Sequence, residues 1–199
     1  MSNKIQNINT ISPMPAAADD QVRDPVQAEY QQGKKYLEQG DIGPAAVALH
    51  NALIGFEERD DQSGIANASN QLGNTCVQRQ DYENALKHYL RAEKICTQLG
   101  DPLSLMALSK QFVLVHTKLG QYKEAVGRCL DLLESYRINN NPQGTVDALE
   151  NMAEIYLQSG DTDMAADAYR TIASVHKNFR HEKMAAGYLQ KAEELAKKS

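Results

Sequence analysis

The chain reads as all-α, a solenoid of stacked antiparallel helix pairs closed by one capping helix. Three observations predict this. Residue types recur every 40 positions, with Gly40, Gln80, Gly120 and Gly160 in one column and Ala45, Ala85, Ala125 and Ala165 in a second. Inside each repeat the apolar residues follow helical spacing, not strand alternation. Each such segment is bounded by Gly, Asp, Asn or Pro in the order that stops one helix and starts the next. They predict four repeats, at about 26–62, 63–101, 102–141 and 142–179, then a capping helix over 180–199. Residues 1–25 form a leader before this single domain.

The leader is rich in Asn, Ser, Asp and Pro. Ile5, Ile8 and Ile11 have helical spacing, but Pro13 and Pro15 interrupt it. With so few apolar groups to offset ordering entropy, the leader is expected to be disordered. The alternative is a short segment that docks on a partner or on this chain's own groove.

In the first repeat, Tyr30, Gly33, Tyr36 and Leu37 make one face of a helix that Gly40 stops. Asp41 is placed to cap the second helix, and Pro44 sits in its first turn, where a missing N–H costs little. Ala45, Leu49, Ala52, Leu53 and Phe56 form its apolar face. The second repeat packs Leu72, Gly73 and Cys76 against Ala85, Tyr89, Ala92 and Ile95, with Asp81 as cap. Leu99-Gly100-Asp101-Pro102 then reads as helix end, left-handed Gly, N-cap and first-turn proline. The third repeat is greasier, with Leu105, Leu108, Phe112, Val113 and Val115, and Gln121 with Glu124 resembles a capping box. Asn141-Pro142 opens the fourth, which carries Leu149, Met152, Ala153, Tyr156, Ala165, Tyr169 and Ile172. Leu189 and Ala192 continue the register into a more polar last helix, the wet-faced terminal element that a repeat stack requires. Lys197 and Lys198 favour its negative C-terminal end.

A helix pair of this length cannot bury enough surface to stand alone, so the pairs must stack. The columns Gly33/Gly73/Val113/Ala153 and Ala45/Ala85/Ala125/Ala165 supply the small groups that let paired backbones approach.

Composition narrows the function. A net charge of −5 in 199 residues does not favour nucleic acid or an anionic membrane face. No apolar run approaches a membrane span, and the N-terminus has neither a signal-peptide core nor a myristoylation glycine. Cys76, Cys96 and Cys129 lack metal-ligand spacing and read as reduced, buried thiols, which points to the cytoplasm. No phosphate-binding glycine loop or nucleophile constellation is present, and His176 and His181 are poorly spaced for a zinc pair on one helix. Asp60 and Asp61 read as solvated acids in a joint and His116 as a core residue. The chain is expected to be no enzyme and to need no cofactor or metal.

The pattern Leu72-Gly73-x-x-Cys76, then Ala85, Tyr89 and Ala92, resembles a tetratricopeptide repeat. The usual unit is about 34 residues, and the extra length is expected in the second helices and the inter-repeat joints. The longer form, with LGN, D-Y-x-x-A-L and L-G-D, is similar to the repeats of the Pins/LGN and rapsyn scaffold proteins. The resemblance covers about residues 26–199 and is loosest in the third repeat, where Val113, His116 and Cys129 depart from the pattern. It implies a right-handed superhelix whose first helices line a concave groove for a partner peptide or helix.

On that register the groove carries Lys34 from repeat one, Asn67, Asn70 and Asn74 from repeat two, Lys110 and Lys118 from repeat three, and Asp147, Glu150 and Glu154 from repeat four. Spacings of three and four put the Asn amides on one helix face, where each offers a donor and an acceptor to a peptide backbone. The lysines and carboxylates make the groove bipolar. The resemblance also argues against one use: of the Lys/Asn clamp that grips Hsp70 and Hsp90 C-terminal tails, only Asn70 and Asn74 survive. The leading expectation is a protein-interaction adaptor in the cytoplasm. The alternatives are a structural subunit of a larger assembly, cytoskeletal for example, that uses its convex or edge surfaces, and a peptide- or ligand-sensing regulator.

Overall fold

The computed structural model describes residues 24–197, so the leader expected over 1–25 lies almost wholly outside the described residues. Nine helices follow one another among the described residues: α1 Pro25–Gln39, α2 Ile42–Glu58, α3 Gln62–Gln78, α4 Tyr82–Leu99, α5 Pro102–Lys118, α6 Tyr122–Ile138, α7 Pro142–Ser159, α8 Thr162–Asn178 and α9 Glu182–Ala196. Each packs on the next in sequence, as stacked pairs require, and contacts between non-consecutive helices are few.

The joints set this order. A left-handed residue falls every 20 positions: Gly40, Asp60, Gln80, Gly100, Gly120, Asn140, Gly160 and Arg180. After each one, the next N–H reaches back to the carbonyl five residues earlier, as in Asp41 to Tyr36, Asp81 to Cys76 and His181 to His176, all at 2.9 Å. This is the Schellman closure, and it satisfies carbonyls that a helix end leaves orphaned. The residue that closes one helix also precedes the next. Asp61, Asp81, Asp101 and Asn141 cap their following helices through side-chain oxygens. Asp24 does the same for α1, accepting from Val26 N–H at 3.0 Å ahead of Pro25.

Several expectations need correction here. Asp41 makes no side-chain cap bond, and neither does Gln121, whose Oε1 lies 2.7 Å from His116 Nδ1 instead. Asp60 and Asp61 are joint residues, one left-handed and one a cap, and not merely solvated acids. The extra length over a shorter repeat lies in both helices of each pair, since every joint is equally tight.

The predicted buried faces are largely as expected. Ala45, Ala85, Ala125 and Ala165 are fully buried, as are Leu49, Tyr89, Cys129 and Ile172. Tyr36, Cys76, Leu105, Tyr156, Tyr169 and Leu189 are half-buried. Of the three thiols, Cys96 and Cys129 are buried and Cys76 partly so; all are free, and burial pushes Cys129 up to about 12. His116 is buried and stacked on Phe112.

The register pairs large groups with small ones at two places per repeat. Within a pair, position 33 meets position 49. A Cβ on Gly33 would lie 2.7 Å from Leu49, and one on Gly73 would lie 2.4 Å from the Tyr89 ring. At the same two positions repeat three exchanges the sizes, and Val113 shares a core cluster with Cys129. Between pairs, Phe56 fills the space above Gly64 and Tyr136 that above Gly144, at 2.3 and 2.5 Å from a hypothetical Cβ. There Cys96, the small member of its column, faces Ser104. The third repeat's departures are therefore compensated, not defective. They also mark a division of the core: Phe112 and Val115 belong to the cluster running from α1 to α5, and Val113 to the cluster that runs on to α8. Across that division Arg128 forks onto Glu93 and lies 4.0 Å over the Phe112 ring.

Two outcomes test this packing. Gly73→Val should cost roughly 1–3 kcal/mol through overpacking. Adding Tyr89→Cys, which copies repeat three, should recover part of the loss as favourable coupling in a double-mutant cycle read by denaturant midpoints. Relieving the left-handed strain should act oppositely: Gln80→Gly and Arg180→Gly should each stabilise by up to about 1 kcal/mol, and Asn140→Gly by less, because Asn tolerates that region.

Candidate functional site

The first helices α1, α3, α5 and α7 present the predicted groove residues, but the structure divides them. Asn67 is exposed. Asn74 is engaged at both ends of its amide: Oδ1 accepts from the buried Tyr89 hydroxyl at 2.7 Å, and Nδ2 donates to Gln71 Oε1 at 3.1 Å. Asn70 is half-buried, and its Oδ1 is enclosed without a partner. The amide row is thus partly built into the α3–α4 contact. Lys34 lies with its ammonium 5.9 Å from the Tyr30 ring, and Lys110 5.8 Å from that of Tyr136.

The remaining residues converge on the C-terminal half. An open cavity of about 170 Å³ between α5 and α7 is lined by Lys110, Leu114, Lys118, Asn151, Glu154 and Gln158, over Val113 and Ile155. A second, of about 420 Å³, is lined by Asp147, Glu150, Asn151, Glu154, Leu157, Tyr169 and Lys191. Asn151 and Glu154 belong to both, so the two form one trough crossing α5, α7 and α9. Leu114 and Leu157, 38% and 39% exposed, give it apolar ground between charged walls. Lys110 and Lys118 share their cavity with Glu154, so the charges of the expected bipolar groove meet in the middle and do not lie at opposite ends.

The acidic wall is arranged by hydrogen bonds. Gln143 donates to Asp147 at 2.7 Å, the Tyr188 hydroxyl to Glu150 at 2.5 Å, and Gln158 to Glu154 at 3.3 Å. Burial, and then the Glu150 carboxylate, push the Tyr188 phenol up to about 12. Burial, with Glu150 and Glu154 behind it, raises Tyr169 as well. The Lys191 ammonium sits 5.4 Å from the Tyr169 ring centre and 4.9 Å from that of Tyr188.

Sequence reasoning missed α9's share of this site, having read that helix as a solvating cap alone. A signal was present. Position 191 continues the column Gln31, Gln71, Gln111, Asn151, and Lys191 is its one charged member. The α8–α9 joint also brings His176 and His181 together, with Nδ1 atoms 3.4 Å apart, although five residues separate them. No group of three His, Cys, Asp or Glu side chains able to hold a metal occurs among the described residues. No helix among them is long and apolar enough to cross a membrane.

The tetratricopeptide-repeat family model matches residues 68–103 and 148–198. Over those two segments the chain resembles the tetratricopeptide repeat. No curated protein sequence matches it. Among solved structures, the apo form of RapI superposes with a TM-score of 0.67 at 13% identity, over 82% of this chain and 60% of RapI. BtubC (BKLC) from P. vanneervenii gives 0.63 at 17%, over 87% and 77%. A signal-transduction ATPase with numerous domains from Pyrococcus horikoshii, which has a tetratricopeptide-repeat sensor, gives 0.70 at 17%, over 87% and 29%. At such identities these likenesses show the repeat fold alone. This chain spans 60% of RapI's length and under a third of the ATPase's. A repeat fold of this kind suggests protein–protein contact in general.

The division of the Asn row has a measurable consequence. Asn74→Ala should destabilise the protein by about 1–3 kcal/mol by stranding the buried Tyr89 hydroxyl. Asn67→Ala, at an exposed site, should stay within about 0.5 kcal/mol of wild type in the same chemical denaturation series.

Proposed function

We propose that this protein is an adaptor that holds a segment of a partner protein in the trough across α5, α7 and α9. The carrying observation is the continuity of the two cavities through Asn151 and Glu154, with exposed Leu114 and Leu157 between basic and acidic walls. Apolar ground supplies affinity and the charged rim supplies orientation. Recognition is the whole mechanism; no bond is made or broken. The groove residues Lys110, Lys118, Asp147, Glu150 and Glu154 belong to this trough, and Lys34, Asn67 and Asn70 extend it toward the N-terminal repeats. Free, largely buried thiols suit a reducing compartment such as the cytosol.

A second reading rests on the convex side. Leu90 and Leu130 occupy the same repeat position on α4 and α6 and are about half exposed. Neighbouring apolar side chains there would suit a subunit packed into a larger assembly through its outer helices.

An unbiased peptide display library panned on the full chain separates the two. Enriched peptides should lose about tenfold or more in affinity to Leu114→Asp, the scale of one interface hot spot, and nothing to Leu130→Asp. The opposite pattern transfers binding to the convex side.

A further inference from the structure

The acidic wall of the α7–α9 cavity lacks a partner of its own kind. Asp147, Glu150 and Glu154 each accept one neutral hydrogen bond, and none of them forms an ion pair among the described residues. The opposite wall is aromatic, and a cation already lies on it. Lys191 faces the rings of Tyr169 and Tyr188 and makes no salt bridge with the carboxylates beside it. A compact ammonium on a flexible stem satisfies the rings and leaves the acids open. A guanidinium would satisfy both, because it is planar enough to lie on a tyrosine face and forks onto carboxylate oxygens at its edge.

On these grounds we propose that the α7–α9 cavity is a pocket for an arginine side chain of the partner segment, and that Lys191 is the resident cation which that arginine displaces. This rests on the trough assigned above and names the chemistry at one end of it. It also gives α9 a part in recognition. Lys191 competes for the pocket, so it sets a threshold that a partner must exceed, and a partner lacking a basic group gains nothing from displacing it.

The test is an NMR titration of the full chain with Ac-Gly-Leu-Arg-Gly-NH2 and with its citrulline counterpart, which keeps the shape and removes the charge. The arginine peptide should shift the ring signals of Tyr169 and Tyr188. The citrulline peptide should bind about tenfold more weakly, the order expected for one lost cation among carboxylates and a ring. Lys191→Met, which keeps the aliphatic stem, should tighten the arginine peptide about threefold or more. Asp147→Asn with Glu154→Gln should weaken it, Glu150 being left in place so that the Tyr188 contact survives. Lys191→Gln repeats the comparison if the methionine variant is poorly folded by circular dichroism. Equal binding of the two peptides, absence of ring shifts, or unchanged or weaker binding by both Lys191 variants overturns the pocket. If the display-selected peptides still depend on Leu114 in that event, the trough stands and only the arginine pocket falls; loss of the Leu114 dependence removes the trough itself.

Discussion

A backbone hydrogen bond repeated at every joint governs this molecule. The N–H that follows each left-handed residue closes onto the carbonyl five positions earlier, and it does so every 20 residues from Asp41 to His181. Each closure reverses the chain within three residues. Two consequences follow. Consecutive helices must run antiparallel, and every helix must enter its neighbour's surface in the same register. The stack is then nearly one-dimensional, with the contacts of each helix confined mainly to the ones before and after it.

Fixed register turns side-chain size into the next constraint. Because position 33 always meets 49, and 56 always meets 64, one member of each pair can be large only if the other is small. Gly73 beneath Tyr89 and Gly144 beneath Tyr136 show one assignment. Val113 with Cys129 shows the reverse. The exchange at α5 is also where the core divides, and there the guanidinium of Arg128, clamped by Glu93 and laid on Phe112, spans α4, α5 and α6. A partly buried, bidentate pair of this kind depends on both members, since either alone would be a poorly solvated charge.

Much of the fold was legible because both constraints act locally. Glycine, Asp and Pro at the joints, and small residues in two columns, are visible in the sequence. What escaped was of two kinds. The joints at Asp60, Asn140 and Arg180 use non-glycine residues in the left-handed region, so the underlying 20-residue period was hidden behind a 40-residue one. The size-matched pairs involve residues 8 or 16 positions apart whose identities change together, so position-by-position comparison scores Val113 and Cys129 as departures. The site was less legible still. Asn67, Asn70 and Asn74 share a helix face by spacing, yet a face is wider than a groove, and a neighbouring tyrosine claimed Asn74. Spacing along one helix cannot show what the next helix will take.

The same limit explains why the proposed site lies in the C-terminal half. A column of groove positions predicts chemistry only where the facing helix leaves that chemistry unspent. On α3 it is spent, since Tyr89 of the facing α4 and Gln71 of α3 itself occupy the amide of Asn74. On α7 the facing helices offer two rings, Tyr169 of α8 and Tyr188 of α9, and one ammonium to three carboxylates, and the ammonium sits on the rings. Charge remains in excess there after every internal contact is made. A cavity walled by unpaired acid on one side and aromatic faces on the other is specific in what it accepts. That unspent chemistry, and not the repeat pattern itself, is what the proposed site rests on.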